Sequence, residues 1–416
     1  MQRINVLASE QVESFIEREI AAASVQNRPG CLERPLAFGQ IAPWRSVVAL
    51  MGLVCVCFAS VVSAQTAAAP RPRDRAEATE VVRGLRKIVT PNGIENAQML
   101  RIGGIDQYVT IRGRDRRNPV LLVLHGGPGY VETPLSWWYA HEWEEYFTVV
   151  EWDQRGAGRT YLDNDAEAVA ATMTPQRFND DVDEMVQWLR KNLGKSKIFV
   201  IGHSWGSYLG AELARRHPEW LYAYIGTGQA ADVPESERRG WAFAMAAAEA
   251  AHNDEAIAEL RAIAPYPKTP SPFKEMAVMH RWVDYYGGVM AYRQNQEDES
   301  HAGRLSPDYT DVQAPHIYDG NEFSETHLLP FVSTLDLSKH LDFKCPILLF
   351  EGRFDRTVNS DVAHEWFEKF RAPQKRFVWF EHSGHEPMSE EPGKFTQSLI
   401  RYARPLAEAA GDVAPD

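Results

Sequence analysis

A chain of 416 residues with 44% hydrophobic and 11% aromatic side chains carries enough apolar material for a large buried core, which excludes a wholly disordered protein. Its formal net charge of -13, with no lysine or arginine block and no interleaved basic and aromatic stripe, excludes nucleic acid as an expected partner. Four cysteines, Cys31, Cys55, Cys57 and Cys345, supply no CxxC redox pair and no cysteine-based zinc spacing.

The first feature in chain order is "WRSVVALMGLVCVCFASVVSAQ". Arg45 precedes an apolar run from Val47 to Val62, and small residues follow at Ser63 and Ala64. That order of basic, apolar and small segments is the layout of a secretory signal cleaved after Ala64; a membrane anchor needs a longer run. The expectation is therefore export to the periplasm or medium, with residues 1–64 as extension plus signal and no stable membrane insertion after its removal. Cleavage would leave Cys345 as the one thiol.

Residues 65–94, opening on "QTAAAPRPRDRAEATE", read as a linker. Two short strands are expected on either side of Gly103-Gly104 in "AQMLRIGGIDQYVTIRG". Six apolar runs follow, "PVLLVLHGGPG", "FTVVEWDQRGAG", "KIFVIGHSWG", "LYAYIGTGQ", "CPILLFEGRFD" and "RFVWFEHSGHEP", each ending in Gly, Asp or His. Strands apolar on both faces belong in a parallel sheet covered by helices on both sides. Between two of them, "TPQRFNDDVDEMVQWLRKNLG" predicts a helix capped by Thr174, opened by Pro175 and stopped by Gly194, with Phe178, Val182, Met185, Val186 and Leu189 on one face. This strand and helix alternation gives an α/β fold with a mostly parallel sheet, core segments at 95–230 and 341–410, and a helical cap at 231–340 that is too long to be a loop.

The chemistry gathers where the strands end. In "FVIGHSWGSYLG", Ser204 lies between Gly202 and Gly206 at a turn from strand to helix, where glycines relieve the crowding that a strained serine turn creates. A serine needs a base, and the base needs an orienting acid. The later strand ends offer Glu351 or Asp355 and His382 or His385; Asp355 and His385 stand farther past their strands, in loops able to reach the serine. The glycine-rich "HGGPG" loop, His125 to Gly129, supplies an oxyanion donor at the Gly127 N–H, paired with the N–H of Trp205. No phosphate-binding loop and no HExxH motif occurs, so no cofactor or metal is required.

Taken together and in this order, "HGGPG", "WDQRGAGRT", "GHSWGS", "GRFDRTV" and "SGHEPMSEEP" resemble the successive motifs of the proline iminopeptidase branch of the α/β-hydrolases over about 300 residues. The resemblance implies an α/β-hydrolase fold and a metal-free serine aminopeptidase with Ser204, Asp355 and His385 as its triad. It also implies a carboxylate for the substrate ammonium, and the match to "YDGNEFSE" falls on Glu322. Where related aminopeptidases carry a second acid after the triad aspartate, this chain has Arg356, which is expected either to pair with Glu322 or to favour a substrate bearing a carboxylate. A secreted carboxylesterase or amidase acting on blocked substrates is the competing expectation. In either case the partner is a small peptide, amide or ester. The aspartate that epoxide hydrolases and dehalogenases need stands nowhere in the serine turn.

Overall fold

The structure, a computed structural model, describes residues 71–415. The apolar run at 47–62 and the proposed cleavage after Ala64 lie outside the described residues. Among the described residues no helix is long and apolar enough to cross a membrane.

Eight strands form one sheet: β1 (Ile94–Ile102), β2 (Ile105–Gly113), β3 (Val120–Leu124), β4 (Thr148–Trp152), β5 (Ile198–His203), β6 (Leu221–Thr227), β7 (Ile347–Gly352) and β8 (Lys375–Phe380). Their spatial order is β1-β2-β4-β3-β5-β6-β7-β8. The β1–β2 and β2–β4 pairs are antiparallel and all others parallel. β3 to β7 are buried along their whole length, as expected of strands covered on both faces. β8 departs from that expectation because it closes the sheet edge, and its residues are mostly half-buried. β1 and β2 are each nine residues long rather than short, joined through Gly103 and Gly104 at φ 56° and 81°. The Gly103 backbone passes so close to Asp181 that a Cβ would fall 1.8 Å from its Oδ1.

The expected linker is a correction. Its residues Arg75–Arg86 form helix α1, started by the Asp74 side chain accepting from the Glu77 N–H. Arg75 ties this helix to the carbonyls of Ser306 and Tyr309, both at 2.8 Å. Ala- and Arg-rich composition reads as linker, yet it also favours helix once such anchors exist.

Helix α2 (Pro175–Asn192) is capped by Thr174, buries Phe178, Val182, Met185, Val186 and Leu189, and gives way to Gly194 at φ 66°. Helix α3 (Trp205–Arg216) leaves the β5 turn and packs behind the sheet. Between β6 and β7 the chain makes a helical excursion through α4 (Val233–Ala250), α5 (Asp254–Ala262), α6 (Phe273–Tyr285), α7 (Glu297–Gly303) and α8 (Asp319–Val332). The excursion carries its own apolar cluster, in which Ala244, Leu260, Met279, Trp282 and Val283 meet. Helix α9 (Ser360–Lys369) lies between β7 and β8 in the chain.

Candidate active site

The β5–α3 turn forces Ser204 to φ 53° and ψ -116°, a left-handed region that side chains avoid. The neighbouring glycines leave room for it. A Cβ on Gly202 would fall 2.4 Å from the Gly206 carbonyl oxygen, and one on Gly206 only 1.9 Å from that of Leu124. The Ser204 N–H donates to the Thr227 carbonyl at 3.1 Å, fixing the turn against β6.

Beyond the ends of β7 and β8, Asp355 and His385 meet, with His385 Nδ1 2.7 Å from Asp355 Oδ2. The other Asp355 oxygen accepts from the N–H groups of Thr357 and Val358 at 2.9 and 3.0 Å. Burial would raise this carboxyl, but His385 and those two N–H groups hold it below the ordinary range. Glu351, the other acid weighed, is buried within β7 and accepts from the Gln229 N–H. Desolvation pushes its carboxyl well up. His382 is exposed, with its ring tilted 40° to that of Tyr292 at 6.4 Å between centroids.

Ser204 and His385 open on one cavity of about 470 Å³, whose lining includes Gly126, Gly127 and Trp205. Gly126 reaches the serine so closely that a Cβ there would be 3.1 Å from Ser204 Cβ. Trp205 opens α3, so its N–H has no acceptor within the helix and faces outward at the positive helix end. Gly127 has φ 102°, and a Cβ on it would strike the Tyr130 and Gly129 nitrogens at 2.5 and 2.6 Å.

The cavity roof comes from the excursion. Glu237, Asp284 and Glu325 line it together with His280 and Arg281. Glu237 bonds His280 Nε2 at 2.7 Å and also accepts from the Tyr266 hydroxyl. Burial pushes the Asp284 carboxyl up to about 6 and raises that of Glu325.

Two expected substrate contacts need correction. Glu322 is exposed on α8 and absent from the cavity lining, whereas its neighbours Asn321 and Glu325 are present. Helix periodicity explains this: Asn321 and Glu325, four residues apart, share the inward face, and Glu322 is turned about 100° from Asn321. Arg356 pairs with no glutamate of α8. Its guanidinium donates to the Asp355 carbonyl at 3.1 Å and approaches Asp361 at 3.7 Å. Trp282, Tyr285 and Tyr286 line no part of the cavity; Trp282 is buried in the excursion's own cluster.

The segment "WDQRGAG" turns out to be a joint. Arg155 is fully buried, pairs with Asp181 at 2.9 Å and donates to the carbonyl of Gly103. Asp153 accepts from the Tyr309 hydroxyl at 2.6 Å, binding β4 to the excursion. Helix α8 then packs on the glycines of both loops: Ser324 donates to the Gly156 carbonyl and Asn321 to that of Pro128, both at 2.9 Å. A second joint has no side-chain signature. The carbonyl of Val289 accepts from the His385 N–H at 2.5 Å, and that of Gly288 from the Arg356 N–H at 2.8 Å.

With this geometry in place, residues 119–392 match the family described as alpha/beta hydrolase fold. The chain belongs to that family. A probable aminopeptidase of Bacillus subtilis is 31% identical to this hydrolase over 310 residues, spanning 73% of the chain and 95% of the relative. The proline iminopeptidase of Clostridium botulinum is 27% identical over 307 residues, 68% of the chain and 88% of the relative. In architecture the hydrolase is similar to the crystal structure of a Mycobacterium smegmatis proline iminopeptidase, with a TM-score of 0.54 and 21% identity over 76% of this chain and all of that one.

Proposed function

We propose that this hydrolase is a serine aminopeptidase of the proline iminopeptidase type, releasing N-terminal residues from short peptides. The observation that carries the reading is the cavity itself, in which Ser204 and His385 face a roof bearing the carboxylates of Glu237, Asp284 and Glu325. A volume of about 470 Å³ suits a small peptide, and carboxylates half-buried or buried in its roof suit a substrate ammonium. The names of the relatives support the same class of substrate.

In this reading His385 takes the Ser204 proton while Asp355 holds its Nδ1–H. Ser204 attacks the scissile carbonyl, and the N–H groups of Gly127 and Trp205 receive the charge that develops on its oxygen. His385 returns the proton to the leaving amine, and water then releases the acyl group from Ser204. Recognition of the ammonium falls to Glu325 and Glu237.

The test compares free and N-acetylated prolyl arylamides and nitrophenyl esters on the chain expressed from residue 65. Acetylation is expected to remove nearly all turnover, and Ser204→Ala to lower kcat by at least about a thousandfold. Equal turnover of both arylamides would convert the assignment to an esterase or amidase; retained activity in Ser204→Ala would overturn the serine mechanism.

A further inference from the structure

His203, directly before Ser204, is 3% exposed and has an arrangement that the mechanism above does not use. Its Nδ1 lies 2.6 Å from Glu132 Oε1. On the other side Nε2 lies 3.0 Å from the main-chain carbonyl oxygen of His385 and 3.7 Å from Glu386 Oε1. Both ring nitrogens thus face oxygens that only accept. A neutral imidazole has one N–H, so satisfying both contacts requires the doubly protonated ring. Burial alone would drive that charge off, but Glu386, Glu132 and the two hydrogen bonds outweigh it and hold the imidazole up at about 10.

The partners come from three separate stretches of chain. Glu132 ends the segment that follows the glycine-rich loop, His203 belongs to the serine turn, and His385 with Glu386 forms the loop after β8. The His203 and His385 rings are 4.7 Å apart between centroids. A displacement of any one segment would break a charge-assisted hydrogen bond among buried groups, where such bonds are strongest.

We propose that His203, as an imidazolium clamped between Glu132 and the main-chain carbonyl of His385, is a positioning residue that holds the glycine-rich loop, the serine turn and the histidine loop in register. The inference rests on Ser204 and His385 being the nucleophile and base. Charged or titratable groups facing His203 are Glu132, Glu386 and His385, with His125, Glu299 and Glu351 farther out.

The experiment measures kcat and KM from pH 5 to 10.5 on prolyl nitroanilide and nitrophenyl acetate, together with the labelling rate of the serine by a fluorophosphonate. His203→Asn is expected to lower kcat and the labelling rate about 10- to 100-fold with KM within about twofold, because a small misplacement of the base costs rate rather than binding. Glu132→Gln keeps the shape of the site but removes the charge that sustains the imidazolium. Its activity is expected to fall at a lower pH on the alkaline side than that of the unaltered protein, by about one unit or more, and this limb is expected to vanish in the double variant Glu132→Gln with His203→Asn. A packing role alone moves no limb. Coincident profiles for Glu132→Gln and the unaltered protein would overturn the clamp, and so would an unchanged kcat in His203→Asn. If His203→Asn fails to fold, the Glu132→Gln profile decides. Ser204→Ala and His385→Ala run alongside: if they retain activity, the serine reading itself fails, whereas silent controls beside unaffected His203 and Glu132 variants condemn the clamp alone.

Discussion

Glu299 on α7 is 2% exposed, and burial together with the nearby Glu386 carboxylate pushes its own carboxyl up to about 8. In the unfolded chain the same group ionises in the ordinary carboxylate range. Between that range and pH 8 the unfolded chain has released a proton that the folded one keeps, so this group's contribution to stability declines as pH rises across that window. Glu299→Gln removes the decline. Urea unfolding is expected to find the variant more stable by on the order of 1–3 kcal/mol at pH 8 and close to unchanged at pH 5. An identical difference at both pH values would refute this account. His203 acts in the same direction over a higher window: a cation raised to about 10 contributes stability that is full below the ordinary imidazole range and is lost as pH climbs from there through that value.

At the scale of elements, the strand ends act as spacers that set loop against loop. A Cβ on Gly352, the last residue of β7, would fall 1.8 Å from the Gly384 carbonyl oxygen, beside the loop that carries His385. Gly352→Ala is therefore expected to part the Asp355 and His385 loops and lower kcat/KM about 10- to 100-fold, with a smaller proportional effect on Tm. Steady-state kinetics beside thermal unfolding checks it; a fall in Tm with kinetics intact would contradict it. These elements also show what was legible beforehand. The buried strands announced themselves as continuous apolar runs, and the serine turn was readable because its glycines and serine are neighbours in sequence. Glu322 was chosen over Glu325, which lines the cavity, because a motif match fixes a sequence position while the face it occupies on a helix follows from rotation. The clamp joins Glu132 to His203 across 71 residues, and no local pattern reports such a pairing. The contacts of Gly288 and Val289 were invisible for another reason, being made by carbonyls that every residue possesses.

Across the whole molecule, α1 ties the helical excursion to the β2 region. It binds the excursion near Ser306 and Tyr309 through Arg75, and the β2 region through Arg86, whose carbonyl accepts from Arg112 at 2.7 Å. Arg75→Ala is expected to cost about 1–3 kcal/mol of unfolding free energy, because it strands carbonyls that accept from a charged group. Denaturant titration would show the loss, and an unchanged midpoint would make α1 a passive appendage.

The hydrogen bond from His385 to the Val289 carbonyl bears on protein engineering. Exchanging the stretch between β6 and β7 is an obvious route to new specificity, since the roof of the cavity lies within it. A graft that changes the backbone path of residues 287–291 along with the roof would displace the carbonyl that accepts from the His385 N–H. Successful chimeras should keep that short loop native and vary only the helices around it.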